Sequence, residues 1–255
     1  MEIQTYTISK QALMDIPTKE RDFFLLTGHF ANEVVFLSKL LLITHSNSSE
    51  NILSSENILE KAELIQALFI CKTLAGKLYE GWCMIRKYYF GTAISKDYDK
   101  LLNMEAKEAI KWLKRYFDRK NHIKKVRNSY SFHYDPDKID PIIKEMEDGD
   151  EFDMYIAEQH INSLYYVSES VINKAMLHEL EPNDLQSGSD KLYQDILEVH
   201  GLMLTFINNF MMAVAGRYFV KTGSNPVLEE IENPPSLEDL RLPFFVNTST
   251  LAADK

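Results

Sequence analysis

Apolar residues recur at intervals of three and four along most of the chain, and long runs of strict apolar–polar alternation are missing from the sequence. This spacing places the apolar residues on one face of an α-helix, which has 3.6 residues per turn. Glycine and proline, which interrupt helices, number only nine and eight among 255 residues. The pattern therefore predicts an all-α fold.

The apolar stripes predict five long helices separated by polar segments. Polar residues at 45–49 should link the first two helices, and Gly91 is expected to end the second. Ser189 or Asp190 is expected to cap the start of the last helix. The helices are predicted over Thr18–Thr44, Ser55–Tyr89, Leu101 to about Val126 with a bend, Glu158–Leu180 and Lys191–Phe219.

Short connections between these helices favour an antiparallel helical bundle over residues 1–220. The acidic stretch 135–153 is expected to be partly loop. A less regular tail over residues 221–255 contains Pro226, Pro234, Pro235 and Pro243. The tail should be extended or form one short helical turn near residues 236–239.

Two observations bear on the cellular compartment. Cys71 and Cys83 lie on one predicted helix, about 18 Å apart along its axis, so they cannot form a disulfide with each other. The sequence shows no secretory signal and no stretch of about 18 uncharged apolar residues. We therefore expect a cytoplasmic protein with reduced thiols and no membrane segment.

The net charge of −10 argues against a nucleic-acid-binding surface spread over the whole protein. Residues 111–127 depart from this average, with eight Lys and Arg residues against the single acid Asp118. Tyr116 and Phe117 are interleaved with these charges. Such a run is either a solvated helix face or a landing site for a phosphate backbone.

Several common chemistries have no sequence signature in this chain. The His-Glu-x-x-His and Cys-x-x-Cys metal patterns do not occur, and neither do the phosphate-binding glycine loops or the Gly-x-Ser-x-Gly nucleophile turn. We therefore predict neither a metal ion nor a cofactor.

The basic run ends in the segment Arg127-Asn128-Ser129-Tyr130-Ser131-Phe132-His133. On a straight α-helix, the six-residue step from Arg127 to His133 turns through about 240° and rises about 9 Å. The two side chains would then lie on different faces. Joint action therefore requires a bend or helix end between them, or completion of the site by a second subunit.

This segment resembles the signature of the HEPN superfamily, which is an Arg followed after four to six residues by a His, with a polar residue next to the Arg. Asn128 fills that polar position, and five residues separate Arg127 from His133. Members of the family are helical bundles, and many are metal-independent endoribonucleases that act as dimers in toxin–antitoxin or phage-defence systems. The resemblance implies the same fold and activity for this chain.

The resemblance also implies roles for individual residues. His133 would act as general acid or base, Arg127 would hold the phosphate, and Asn128 would orient either group. The expected partners are RNA, a second copy of the chain and, in a toxin system, an inhibitory protein. Basic residues near the motif are expected to guide the RNA backbone: Arg119, Lys120, Lys124 and Lys125.

Two other interpretations remain open from the sequence. The chain could be a non-catalytic helical scaffold or nucleotide-binding module in which Arg127 and His133 are structural, and the net acidity favours this reading. The last helix, rich in Met and Phe, could instead line a site for an apolar ligand, although such stripes are usually core packing.

Overall fold

The computed structural model describes residues 1–45, 57–131, 136–146, 148–149, 151–220 and 226–247. These residues form nine α-helices and one two-stranded sheet, which confirms the predicted all-α fold class. In chain order the helices are α1 Lys10–Met14, α2 Thr18–His45, α3 Ile58–Tyr88, α4 Ala93–Tyr98, α5 Met104–Phe117, α6 His122–Val126, α7 Ile139–Lys144, α8 Tyr166–Leu180 and α9 Leu185–Tyr218.

Two predicted helix ends agree with the structure. Helix α2 begins at Thr18, and α3 ends within one residue of the predicted Tyr89. Gly91 has a positive φ of 69°, a conformation that glycine adopts without steric strain just after a helix. Both cysteines lie on α3 and are free thiols, as the spacing required.

The third predicted helix, which was expected to continue with a bend to about Val126, divides instead into two helices, α5 and α6, at residues 118–121. The side-chain amide of Asn121 donates hydrogen bonds to the carbonyls of Tyr116, at 3.3 Å, and Arg119, at 3.0 Å. Carbonyls at the end of a helix need partners from outside the helix, and Asn121 supplies them. The chain therefore stops and restarts as a helix within the basic run.

The starts of the last two long helices were also predicted wrongly. Helix α8 begins at Tyr166 instead of Glu158, since Tyr155 and Leu164 form an isolated antiparallel bridge in the preceding segment. Helix α9 begins at Leu185, where the Asp184 carboxylate accepts a hydrogen bond from the Ser187 amide at 3.0 Å. Ser189 and Asp190 therefore lie inside α9 and are not its cap.

The tail beyond residue 225 includes a strand that was not predicted. Strand β2, Val227–Glu230, pairs antiparallel with β1, Glu2–Thr5. Both strands are largely exposed, so neither shows the apolar alternation that marks a half-buried strand. The short helical turn expected near residues 236–239 is a 3₁₀ turn over Leu237–Asp239.

The chain groups into two compact units, each built from separated segments. Unit 1 consists of Met1–Phe36, Lys77–Asn121 and Asp195–Ser236, and unit 2 of Leu37–Gly76, His122–Gln194 and Leu237–Lys255. The boundary at residue 220 between bundle and tail stays a prediction.

The core of unit 1 is rich in aromatic rings. Phe23 on α2 packs against Phe210 on α9 with ring centroids 5.0 Å apart, and Trp82 on α3 stacks on Phe117 of α5 at the same distance. Gly81 lets α3 approach α2 closely, because a Cβ atom there would lie 2.2 Å from the Phe30 ring. Burial of each such ring contributes about 1.5–3 kcal/mol, so these contacts position α5 and its basic residues firmly.

Unit 2 packs the first part of α3 against α8 and the segment before it. Ala62, Ile65 and Leu164 form a small apolar cluster that the Tyr166 ring covers. Lys61 donates to the Asp153 carboxylate at 2.6 Å, and this hydrogen bond raises the pKa of Lys61 and lowers that of Asp153. These contacts hold the irregular segment before α8 against α3.

Two helices are long and apolar enough to cross a membrane by length and composition, over Thr18–Thr44 and Leu185–Tyr218. Neither helix holds about 18 uninterrupted apolar residues, since Lys39 interrupts α2 and Asn208 and Asn209 interrupt α9. Core helices of water-soluble proteins pass the same test, and both helices carry core residues such as Phe23 and Phe210. The membrane signal is therefore weak, and the expected absence of a membrane segment stays a prediction.

Candidate functional site

The first residues of the predicted motif form one π-helical turn, Arg127–Ser131, directly after α6. Buried Ile123 and Val126 anchor α6 in unit 2. A π turn departs from the 3.6-residue spacing, and such turns are frequent at functional sites. Joint action of Arg127 and His133 was expected to need a bend or helix end between them, or a second subunit, and the π turn is a departure from straight α-helix at the start of the motif.

The side chains of Arg127 and Asn128 are brought together on this turn. The Arg127 guanidinium donates a hydrogen bond to the Asn128 side-chain oxygen at 3.2 Å. Asn128 is exposed and Arg127 is half-exposed, so a phosphate in solvent can reach the pair. His133 lies outside the described residues, and its predicted role as acid or base stays a prediction.

The four basic residues predicted to guide RNA fall into different units. Arg119 and Lys120 are exposed residues of unit 1, directly after α5. Lys124 and Lys125 belong to α6 in unit 2. The Lys125 ammonium donates to the Glu179 backbone carbonyl at 3.0 Å, near the end of α8, so one of its three donors already has a structural partner.

Glu179 on α8 holds the motif segment in place through its side chain. Its carboxylate accepts a hydrogen bond from the Tyr130 hydroxyl at 3.1 Å and lies 3.3 Å from the Lys138 ammonium. The Ser131 hydroxyl adds a second attachment, donating to the Lys72 carbonyl at 2.7 Å. The π turn is thus fastened at both Tyr130 and Ser131, while Arg127 and Asn128 stay accessible.

A cavity of about 450 Å³ lies in unit 2 and is lined in part by the same turn. This volume is within the range of small-molecule sites. Its lining combines apolar groups with hydroxyls and charges: Phe69, Lys72 and Thr73 of α3, Ser129, Tyr130 and Ser131 of the π turn, Pro136, Lys138 and Ile139 before and in α7, and Glu169, Ile172 and Ala175 of α8.

Lys72 is a buried ammonium group in the cavity wall that the sequence analysis missed. Its ammonium donates to the Asn173 side-chain oxygen at 3.0 Å and lies 3.5 Å from the Glu169 carboxylate. The Asn173 amide in turn donates to Glu169 at 3.2 Å, which closes a three-residue network. The available signal was a lysine beside Cys71 on the apolar stripe of α3, where a charge must be compensated.

The chemistry outside this region is limited among the described residues. Within that part of the chain, no group of three His, Cys, Asp or Glu side chains could hold a metal ion. Burial raises the pKa of the Cys71 thiol to about 12, so this cysteine is a packing residue and not a nucleophile.

Comparison with known proteins adds no family assignment. No family model matches the chain, and neither a curated protein nor a solved structure does.

Proposed function

We propose that this chain is a metal-independent endoribonuclease of the HEPN type. The observation that carries the proposal is the accessible Arg127–Asn128 pair, hydrogen-bonded at 3.2 Å on a π turn that Glu179 and Ser131 hold in place. The proposed biological setting is a cytoplasmic toxin, stress or phage-defence system. A twofold dimer would place two such motifs side by side, and an inhibitory protein would restrain the active form.

The reaction would use groups that RNA and the motif supply together. The ribose 2′-hydroxyl attacks the adjacent phosphorus and breaks the bond to the 5′-oxygen, giving a 2′,3′-cyclic phosphate and a 5′-hydroxyl. Arg127 would stabilise the negative charge that builds on the phosphate oxygens. Asn128 would orient Arg127 through their hydrogen bond, and His133 would move a proton to or from a reacting oxygen.

Cleavage of total cellular RNA in EDTA by the wild type, Arg127→Ala and His133→Ala tests this proposal. We expect each substitution to lower the rate by at least about 100-fold, because each removes a group that acts on the transition state. Arg86→Ala and His160→Ala are matched controls, since both residues are exposed and lie outside the motif. Equal cleavage by all five proteins would reveal a contaminant and contradict the assignment.

A second candidate function is a non-catalytic nucleotide-binding module, which the cavity lined by Lys72 and Ser129 favours. In that case the motif would shape the cavity wall instead of acting on RNA. A nucleotide that binds there would raise the melting temperature in a concentration-dependent way while RNA stays intact.

A further inference from the structure

Helix α5 carries an aromatic pair beside a cluster of basic residues in unit 1. The rings of Trp112 and Tyr116 are stacked, with centroids 5.1 Å apart and planes inclined by 11°. Arg115 lies on α5 three residues after Trp112, and Arg119 follows the end of that helix. These residues and Lys120 line a surface hollow of about 270 Å³.

The aromatic pair is held in a defined orientation. The Tyr116 hydroxyl donates a hydrogen bond to the Asp195 carboxylate on α9. Buried Leu113 and Phe117 fix the opposite face of α5 in the core of unit 1, and Asn121 closes the helix end where Arg119 and Lys120 emerge. A ligand that stacks on this pair would find the rings already ordered.

The basic groups around the pair are available to a ligand. Arg115, Arg119 and Lys120 are exposed, and within the described part of the chain none of their cationic groups has an ion-pair partner. By contrast, Lys111 on the same helix lies 3.7 Å from the Glu108 carboxylate. Cations near the end of a helix also interact favourably with the helix dipole. That interaction does not explain the two stacked, half-exposed rings beside these cations.

We propose that this hollow binds unpaired nucleotides of RNA. A base would stack on the Trp112–Tyr116 pair, and Arg115, Arg119 and Lys120 would contact the adjoining phosphates. Stacking platforms combined with cationic grooves are how proteins bind single strands without reading their sequence. A duplex offers the same phosphates but keeps its bases stacked inside, so it would bind through charge alone. The choice of RNA rests on the proposed function, but the inference does not require cleavage.

The test measures fluorescence anisotropy of a labelled 2′-O-methyl oligouridylate of about 12 nucleotides. This probe lacks the free 2′-hydroxyl and cannot be cut, so failure of binding and failure of cleavage are separate results. We expect Trp112→Ala to weaken binding about tenfold, Trp112→Phe to retain most of it, and a duplex probe to respond little to either change. The logarithm of the dissociation constant should rise with the logarithm of salt concentration with a slope of about 2, for three phosphate contacts.

The charge contribution has its own matched control. Arg115→Gln/Arg119→Gln should weaken binding, while Lys96→Gln/Lys100→Gln, which removes two charges from exposed positions at α4, should not. If Trp112→Ala fails to fold, acrylamide quenching of the wild type decides, because Trp82 is buried and the accessible emission comes from Trp112. Bound oligonucleotide should protect that emission. No binding at low salt, equal binding by Trp112→Ala, or unprotected emission would overturn the proposal.

Discussion

The buried side chain of Lys72 and the half-buried side chain of His200 differ in how the fold accommodates them. The Lys72 ammonium has both Asn173 and Glu169 as partners, and a buried charge with such partners is tolerated. The His200 Nε2 atom is buried on α9 and has no hydrogen-bond partner among the described residues. Burial of this atom therefore lowers the pKa of His200, because it disfavours the charged form of the ring.

The lowered pKa of His200 predicts a pH-dependent stability. In the unfolded chain the imidazole titrates near its ordinary pKa of about 6.5, so the unfolded state binds the proton first as the pH falls. As the pH falls from about 6.5 to the lower pKa of the folded state, the free energy of unfolding should decrease. Below that lower pKa, the contribution of His200 to the free energy of unfolding should stay constant. Urea unfolding at neutral and acidic pH should show a smaller loss for His200→Gln than for the wild type.

His160→Gln is the control for this measurement, because His160 is exposed in a 3₁₀ turn. Its loss of stability with falling pH should equal that of the wild type. An equal loss for His200→Gln as well would show that His200 is solvated in the folded protein.

At the scale of elements, the π turn was foreseeable only in part. If Arg127 and His133 act together, the six-residue step between them calls for a bend, a helix end or a second subunit, and the turn over Arg127–Ser131 departs from a straight helix. The hydrogen bond from Tyr130 to Glu179 that holds the turn could not be predicted from the local sequence. Glu179 lies far along the chain from Tyr130, and the contact depends on how α8 packs. The division between α5 and α6 has a local cause. The sequence does not show it, because an asparagine such as Asn121 can either end a helix or continue one.

The attachment of the π turn to α8 should matter for activity more than for stability. Glu179→Gln removes the ion pair with Lys138 and weakens the bond from Tyr130, which would loosen the turn that carries Arg127. We expect a fall in RNA cleavage of about tenfold from misplaced groups, with a loss of less than about 1 kcal/mol in the free energy of unfolding.

Glu181→Gln is a matched control for that change. It removes the same charge just after α8, where the Glu181 carboxylate pairs with the Lys191 ammonium at 2.5 Å and not with residues 127–131 of the motif. If both variants lose activity equally, the effect is one of charge and the positioning role of Glu179 is wrong.

At the scale of the whole molecule, the helical class followed from periodicity, and residues such as Phe23 and Phe30 on α2 and Leu74 on α3 are buried at helical spacing. The two compact units did not, since each joins segments far apart in the sequence. The same limit applies to function. The net charge of −10 is an average over the whole chain and does not describe local sites. It does not reveal that α5 has cations beside the Trp112–Tyr116 pair.

The most direct test of the proposed endoribonuclease activity uses one RNA oligonucleotide incubated with the wild type in EDTA. The end groups of its products are then analysed. We expect cleavage that leaves a 2′,3′-cyclic phosphate and a 5′-hydroxyl, with the fully 2′-O-methylated strand intact and His133→Ala inactive. An RNA left intact by the folded wild type, cleavage of the methylated strand, or full activity in His133→Ala would contradict it.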